Sequence, residues 1–266
     1  MVRPGPVSLA ATTELGDPTV WTTVPVIAAV LIGSSMQRIT GMGFALVAAP
    51  FLVLLLGPVD GVIVVNVCGA LTSCVILMRV FRQVDWRRYG LLAACAVVGI
   101  VPGSYVLQFV SVAWLEISIG VLVAAGLTVS VNLGRVVVRD RLGFRVLAGV
   151  TSGFMNTTAG VGGPAVSIYA IATGWPQRSF AATMQPYFLT IGLASLSSKF
   201  ALGSADVPQL PTVVWILIGC ACIIGLIVGD LLSTVIEPHV ARRLLVIVAY
   251  LGSIATIVRG VLELLA

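Results

Sequence analysis

The sequence predicts an all-α polytopic membrane protein, and three observations lead to this prediction. Of the 266 residues, 59% are hydrophobic and only 9% are charged, whereas about 25% are charged in soluble proteins. The mean hydropathy is +1.11, and the apolar residues fall in long runs. Only helices satisfy every backbone polar group within one segment in hydrocarbon. The composition therefore excludes a soluble enzyme, a nucleic-acid-binding protein and a disordered chain.

The first element is a polar N-terminal tail, residues 1–23. Its opening stretch has three prolines, two acidic residues and no continuous apolar core, which is atypical of a cleaved signal peptide. Apolar segments follow at roughly 24–39, 42–56, 59–80, 89–109, 113–133, 144–158, 160–174, 179–199, 211–232 and 240–260.

These segments divide into two sets of five, because the second set repeats polar features of the first at a spacing of 119 residues. The matched pairs are Gln37 with Asn156, Gly41 with Gly160, Gly43 with Gly162, and Asn66 with Gln185. With a small shift, Gly99–Gly103 also matches Gly225–Gly229. We therefore predict an internal duplication into two membrane repeats of about 115 residues, at 24–139 and 140–266.

Each repeat begins with two short apolar segments separated by a polar, glycine-bearing break, at 37–43 and at 156–164. About fifteen helical residues extend only about 22 Å, against a hydrocarbon core of about 30 Å, and one helix through both segments would be too long. We expect either a re-entrant hairpin or a sharply broken helix, followed by three transmembrane helices. Irregular backbone at this depth is tolerated only beside protein or a water-filled cavity, so the breaks should face an internal site.

Arginine-rich loops fix part of the topology, because short cytoplasmic loops carry an excess of basic residues. Two such loops, separated by two spans, contain Arg79, Arg82, Arg87 and Arg88, and Arg135, Arg139, Arg141 and Arg145. Returning hairpins would add Arg178, Arg242 and Arg243 to the same side, whereas crossing helices would add Arg3, Lys199 and Arg259. The segment lengths favour returning hairpins, which invert the second repeat relative to the first; crossing helices would leave four spans per repeat and parallel halves.

Side chains that serve catalysis, metal binding or cofactor binding are scarce. His239 is the only histidine, and the five cysteines all lie in apolar segments, where a free thiol behaves as a small apolar group. There is no nucleotide-binding loop and no nucleophile elbow. We therefore predict a protein that is not an enzyme and that holds no cofactor and no metal ion.

The paired breaks predict an anion-binding site. Duplicated transporters bind substrate between their halves at the ends of discontinuous helices, where two helix N-termini would each contribute roughly half a positive charge. Glycines let backbone N–H groups approach oxygen atoms closely, threonines add hydroxyl donors, and Arg38 could pair bidentately with a sulfonate, phosphate or carboxylate. The predicted substrate-binding residues are Gln37, Arg38, Thr40, Gly41, Gly43, Asn66, Asn156, Thr157, Thr158, Gly160, Gly162, Gly163 and Gln185.

Structural roles compete with several of these assignments. Glycines in membrane helices also serve close packing, and Asn66 and Gln185 suit an interhelical hydrogen bond as well as substrate contact. For Arg38 the alternative is a position at the membrane interface or beside a helix C-terminus.

Two more charged residues are candidates for coupling transport to an ion. Asp230 lies near the end of an apolar segment and could carry a coupling proton, although solvation at the interface or a pair with Arg242 or Arg243 is the favoured interpretation. Lys199 closes its own segment, where an interfacial anchor is the favoured role.

The two breaks, Thr40-Gly41-Met42-Gly43 and Ala159-Gly160-Val161-Gly162-Gly163-Pro164, resemble those of the sulfite exporter TauE/SafE family. The resemblance covers nearly all of residues 24–260, including the segment count and the basic mid-chain loop. It implies a multi-pass protein of the bacterial inner membrane that transports sulfur-containing anions. One departure is that the first repeat has Phe44 where the second has Gly163 and lacks the proline, so the two halves need not contribute equally.

The sequence therefore predicts a secondary transporter, and by the resemblance an exporter, of small sulfur-containing anions such as sulfite or organosulfonates. Its expected partners are that anion, the lipid bilayer and protons as coupling ion, with the oligomeric state left open. Two alternatives are a channel-like permease for another small anion and a membrane scaffold subunit that does not transport.

Overall fold

The computed structural model describes residues 18–41, 43–132, 139–235 and 238–265. This part of the chain contains α-helices, a short 3-10 turn at Phe81–Gln83 and no strand, which confirms the all-α prediction. In chain order the helices are α1 (Pro18–Thr40), α2 (Gly43–Leu56), α3 (Pro58–Val80), α4 (Trp86–Val106), α5 (Val112–Asn132), α6 (Leu142–Ala159), α7 (Gly163–Ala172), α8 (Gln177–Ala201), α9 (Thr212–Val235) and α10 (Pro238–Leu265). Residues 1–17 of the predicted tail, Arg3 among them, and Arg135 lie outside the described residues.

Helix α1 is longer than the apolar pattern predicts. The helix begins at Pro18, inside the predicted tail, because proline is favoured in the first turn, where its missing N–H would have no partner. Its 23 residues extend about 34 Å. The segments of the described chain that are long and apolar enough to cross a membrane are Thr22–Thr40, Pro58–Gln83, Trp86–Val106, Thr212–Val235 and Arg243–Leu265.

The two helices on either side of each break, α1 with α2 and α6 with α7, fold back on one another. A Cβ placed on Gly33 of α1 would lie 3.0 Å from Cβ of Ala48 in α2. In the second pair, Ser152 Oγ of α6 donates to the carbonyl of Gly162, beyond the break, at 2.7 Å. Only a chain that turns back at the break brings these positions together. The structure therefore has hairpins, which the sequence favoured over the alternative of a sharply broken helix.

The ends of the helices agree with returning hairpins. Arg178, at the start of α8, donates from Nε to Oε1 of Gln83 at 3.0 Å, which places it with the first arginine-rich loop. Arg259 lies elsewhere, beside the end of α2, where it donates to the carbonyl of Leu54. This is the arrangement that the sequence associates with inverted halves.

Close helix packing joins the two halves of the chain through glycines. Helix α4 packs against α6, and α9 packs against α1. A Cβ on Gly99 would lie 2.0 Å from the carbonyl oxygen of Val150, and a Cβ on Gly225 would lie 2.6 Å from that of Leu31. Val150 and Leu31 are 119 residues apart, which is the predicted repeat spacing. The next contacts keep this spacing: Gly103 meets Phe154 and Thr157, and Gly229 meets Ser35 and Arg38.

A charged cluster joins α4, α6 and α7 at the arginine-rich end. Asp140 accepts from Arg145 Nε at 2.8 Å and from the Tyr169 hydroxyl at 2.9 Å, and Arg88 lies 3.6 Å away. The hydrogen bond from Arg145 is the main reason that the pKa of Asp140, in the loop before α6, is lowered. The ionised carboxylate therefore holds three helices together.

Large apolar side chains cover the outer faces of the bundle. Val98 and Leu251 are each more than 60% exposed, although they lie in the middle of α4 and α10. Contiguous exposed apolar surface of this kind is costly in water and favourable in hydrocarbon. The outer surface is therefore suited to a lipid bilayer.

Candidate functional site

A small buried cavity lies where the two breaks meet the middle of α3. Its volume is about 30 Å³, room for about two water molecules. It is lined by Gln37, Phe44, Ala45, Leu46, Val65, Asn66, Gly69, Ser73, Asn156, Gly160, Val161, Gly162, Gly163 and Phe188. The lining thus includes both ends of the second hairpin break and the first turn of α2.

Both half-length helices begin at this cavity. Helix α2 starts at Gly43 and α7 at Gly163, and the first N–H groups of a helix have no acceptor within it. Gly41 and Gly160 directly follow the preceding helices and have φ angles of 84° and 72°. Only glycine adopts this left-handed backbone readily, and it is what reverses the chain at each break. The structure therefore brings two helix N-termini to one place, as the sequence predicts.

Four buried amides form two hydrogen-bonded pairs beside the cavity. Asn156 Nδ2 donates to Oδ1 of Asn66 at 2.8 Å, and Gln37 Nε2 approaches Oε1 of Gln185 at 3.5 Å. Each side chain is at most 5% exposed. The two pairs are equivalent under the spacing of 119 residues, and each pair joins one half of the chain to the other.

Further hydrogen bonds hold these amides in place. Gln37 Nε2 also donates to Ser73 Oγ at 3.1 Å, and Gln185 Nε2 donates to the carbonyl of Gly41 at 2.9 Å. Asn156 Nδ2 has a second acceptor, the carbonyl of Ile191, at 3.3 Å. No described lining side chain is charged, so the polar part of the wall consists of amides, a hydroxyl and backbone groups.

The three predicted threonines do not line the cavity. Thr40 and Thr158 donate to carbonyls one turn back in their own helices, at 2.8 and 2.9 Å. Thr157 donates to Ser195 of α8 at 3.1 Å. Membrane helices commonly satisfy a threonine hydroxyl in the first way, and no local sequence pattern distinguishes it from a ligand. Their part in substrate binding stays a prediction.

Arg38 lies beside the cavity-lining Gln37 but does not itself line the cavity. Its Nε donates to Asp230 of α9, and Arg79 of α3 donates to the same carboxylate. The side chain of Arg38 is 32% exposed. The expected partner of Asp230 was Arg242 or Arg243, whereas the structure joins α1, α3 and α9 through it. The ligand role of Arg38 and the coupling role of Asp230 stay predictions.

Lys199 does not serve as an interfacial anchor. Its side chain is completely buried, and its amine has no hydrogen-bond partner among the described residues. The sequence indicated an anchor because the lysine closes an apolar segment. The neighbouring helices, which no local pattern reveals, cover it instead. The coupling role of Lys199 stays a prediction.

The predicted set omits part of the cavity wall, including Ser73, Phe44 and Phe188. Ser73 lies seven residues after Asn66 on α3, and Phe188 lies three after Gln185 on α8. Both spacings put the second residue on the same helix face as the first. A search along the helix faces of the two predicted amides would have found them.

A polytopic helical bundle with two half-length helices that begin at a buried, donor-lined cavity belongs to the class of multi-pass membrane transport proteins. Among known families, the model described as Sulfite exporter TauE/SafE matches residues 26–256. The chain therefore belongs to the TauE/SafE family, a family of membrane transporters. No curated protein and no solved structure matches the chain.

Proposed function

We propose that this chain is a secondary transporter of small sulfur-containing anions, such as sulfite or organosulfonates, and that it exports them across the bacterial inner membrane. Substrate exchange follows alternating access of the two halves around the paired half-helix termini. Protons are the proposed coupling ion, with Asp230 or Lys199 as carrier. Family membership supports transport without chemical change of the substrate.

The observation that carries the proposal is the convergence of α2 and α7 on one buried cavity. Their first turns present unpaired N–H groups and partial positive charge to the same space, which favours an anion. The amides and Ser73 add neutral donors. Neutral donors bind an anion less strongly than a guanidinium does, so the substrate can leave on the other side of the membrane.

The amide pairs give this site a mechanism that links binding to movement. Asn66 and Asn156 come from different halves, as do Gln37 and Gln185. An anion bound between the two amides of a pair would accept the hydrogen bond that one amide N–H now donates to the oxygen of the other amide. Substrate occupancy would then replace a bond between the halves, and a ligand shifts a conformational equilibrium only through such differential contacts.

Counterflow in proteoliposomes tests the proposal. Vesicles preloaded with unlabelled sulfite or ethanesulfonate should accumulate the labelled anion with saturable kinetics. Gln37→Glu should weaken anion binding, because a negative charge about 5 Å from the anion costs about 3 kcal/mol at an effective dielectric constant of about 20. This corresponds to at least about a hundredfold in affinity.

Gln209→Glu is the matched control. It introduces the same charge in the exposed loop before α9 and should leave counterflow unchanged. Flux without saturation would identify a channel. No saturable affinity for either anion would identify a scaffold, and both results contradict the proposal.

A further inference from the structure

Lys199 is the only lysine of the chain, and it lies where an amine is costly. It belongs to the last turns of α8, its side chain is completely buried, and its Nζ has no hydrogen-bond partner among the described residues. A buried ammonium normally has a carboxylate or several acceptors around it. An apolar residue at this position would pack without that cost, so packing alone does not account for the lysine.

One face of α8 connects Lys199 to the central cavity. Phe188 lines the cavity, and Gly192, Ser195 and Lys199 follow at intervals of four, three and four residues. These intervals keep all four on one side of a helix. Lys199 is about 16 Å from Phe188 along the axis of α8, toward the end of the bundle opposite the arginine-rich loops.

The same face carries polar groups from the neighbouring helices. Gly192 lies against the carbonyl of Asn66, which a Cβ there would approach to 3.2 Å. One turn before the lysine, Ser195 accepts a hydrogen bond from Thr157 of α6 at 3.1 Å. Polar groups of the neighbouring helices therefore lie against this face between the amides of the cavity and the turn before Lys199.

A second unpartnered polar atom lies at this end of the path. Ser104 of α4 is completely buried, and its hydroxyl has no hydrogen-bond partner within the described part of the chain. Its carbonyl accepts from Ser204 Oγ at 2.9 Å, and the backbone N–H of Ser204 donates to the carbonyl of Lys199 at the same distance. Ser204 thus ties Ser104 to the last turn of α8, which brings two unsatisfied donors, an amine and a hydroxyl, to one region.

We propose that Lys199 is the centre of a second anion-binding site, on the path between the central cavity and the nearby end of the bundle. The ammonium binds a small sulfur oxyanion that has left the cavity. Ser195 lies one turn earlier on α8, and Ser104 is linked to the backbone of Lys199 through Ser204. This inference rests on the proposed function, since it takes the same class of anion. The second site adds a position, between the central cavity and the end of the bundle, that the substrate occupies before its release or after its entry.

The first test uses the fact that Lys199 is the only lysine. Cyanate, a small anion in equilibrium with its acid, carbamoylates a free amine, and mass spectrometry of the peptide that contains residue 199 measures the rate. We expect slow reaction of the purified protein in gluconate and a rate at least several-fold lower in ethanesulfonate at equal ionic strength. Equal rates in the two salts, or no reaction in either, would overturn the proposal.

Substitutions give the second test. Lys199→Met removes the charge but retains the length of the side chain and should raise the ethanesulfonate concentration for half-maximal counterflow at least about tenfold, since a hydrogen bond to a charged group is lost. Lys199→Arg keeps the charge and should retain most of the affinity. Arg178→Gln, which removes one exposed positive charge from the other end of the same helix, is the matched control.

The outcomes separate this site from the proposed function. Wild-type counterflow with an unchanged half-saturation in Lys199→Met would leave the transporter proposal standing and refute the second site. Protection of Lys199 by ethanesulfonate without any counterflow would support the anion site and refute transport.

Discussion

The packing of α4 against α6 makes Gly153 the glycine of α6 at which an added Cβ would meet its neighbour most closely. A Cβ at this position would lie 1.9 Å from the carbonyl oxygen of Ala96, whereas real Cβ atoms essentially never approach within 3.0 Å. Gly153→Ala therefore requires the two backbones to separate by about 1.1 Å. Backbone atoms cannot rotate away as a flexible side chain can, so the whole interface must shift.

The expected loss follows from this overlap. Excess atoms in a well-packed interior cost about 1–3 kcal/mol, and each kcal/mol corresponds to about 2–4 °C in Tm for a chain of this size. Gly143→Ala is the control in the same helix, because a Cβ there meets nothing within 4 Å. Both variants replace glycine by the better helix former, so their difference isolates the interface.

Thermal unfolding of the purified protein in detergent, followed by tryptophan fluorescence, measures the difference. The Tm of Gly153→Ala should lie about 2–12 °C below that of Gly143→Ala. Equal Tm values would refute the inferred close approach of α4 and α6.

Three further predictions concern charged residues. If Arg38 binds the anion directly, Arg38→Ala should abolish sulfite counterflow, and full activity would remove Arg38 from the site. If Asp230 carries the coupling proton, the dependence of transport on an inward proton gradient should vanish in Asp230→Asn, and an unchanged dependence excludes it. Because the pKa of Asp140 is lowered in the folded protein, its contribution to stability is complete above the unfolded pKa of about 3.9 and is lost as pH falls through the folded value. The Tm of the wild type should therefore include an acid-dependent loss below about pH 4 that Asp140→Asn lacks; identical pH profiles would contradict this.

The sequence predicted those parts of the site that depend on local pattern and on the repeat. The glycines at 41 and 160, the start of the half-helices behind them and the amides at 37, 66, 156 and 185 all lie at or beside one cavity. The sequence also limits how the amides can pair, since a shared spacing of 119 residues implies that a contact in one half has an equivalent in the other. The start of α1 at Pro18 was missed, however, because residues 18–23 include a proline and three threonines and do not continue the apolar pattern.

The partners of the charged groups could not be predicted in this way. Asp230 pairs with Arg38 and Arg79 because α9 packs against α1 and lies beside α3, and Lys199 is buried because other helices cover the end of α8. The ion pairs of Asp230 join residues that are more than 90 positions apart in the chain. The amine of Lys199 has no polar partner among the described residues. Hydropathy and loop charge contain no information about such contacts.

The two glycine interfaces also bear on how such a chain could arise. In each of them, the first helix of one half fills the groove along the fourth helix of the other half. Half of the chain alone would leave both surfaces open, whereas two antiparallel copies would cover both at once. On the predicted duplication, the fold corresponds to an antiparallel homodimer fused into one polypeptide. Fusion fixes the relative orientation that separate copies would have to establish at every membrane insertion.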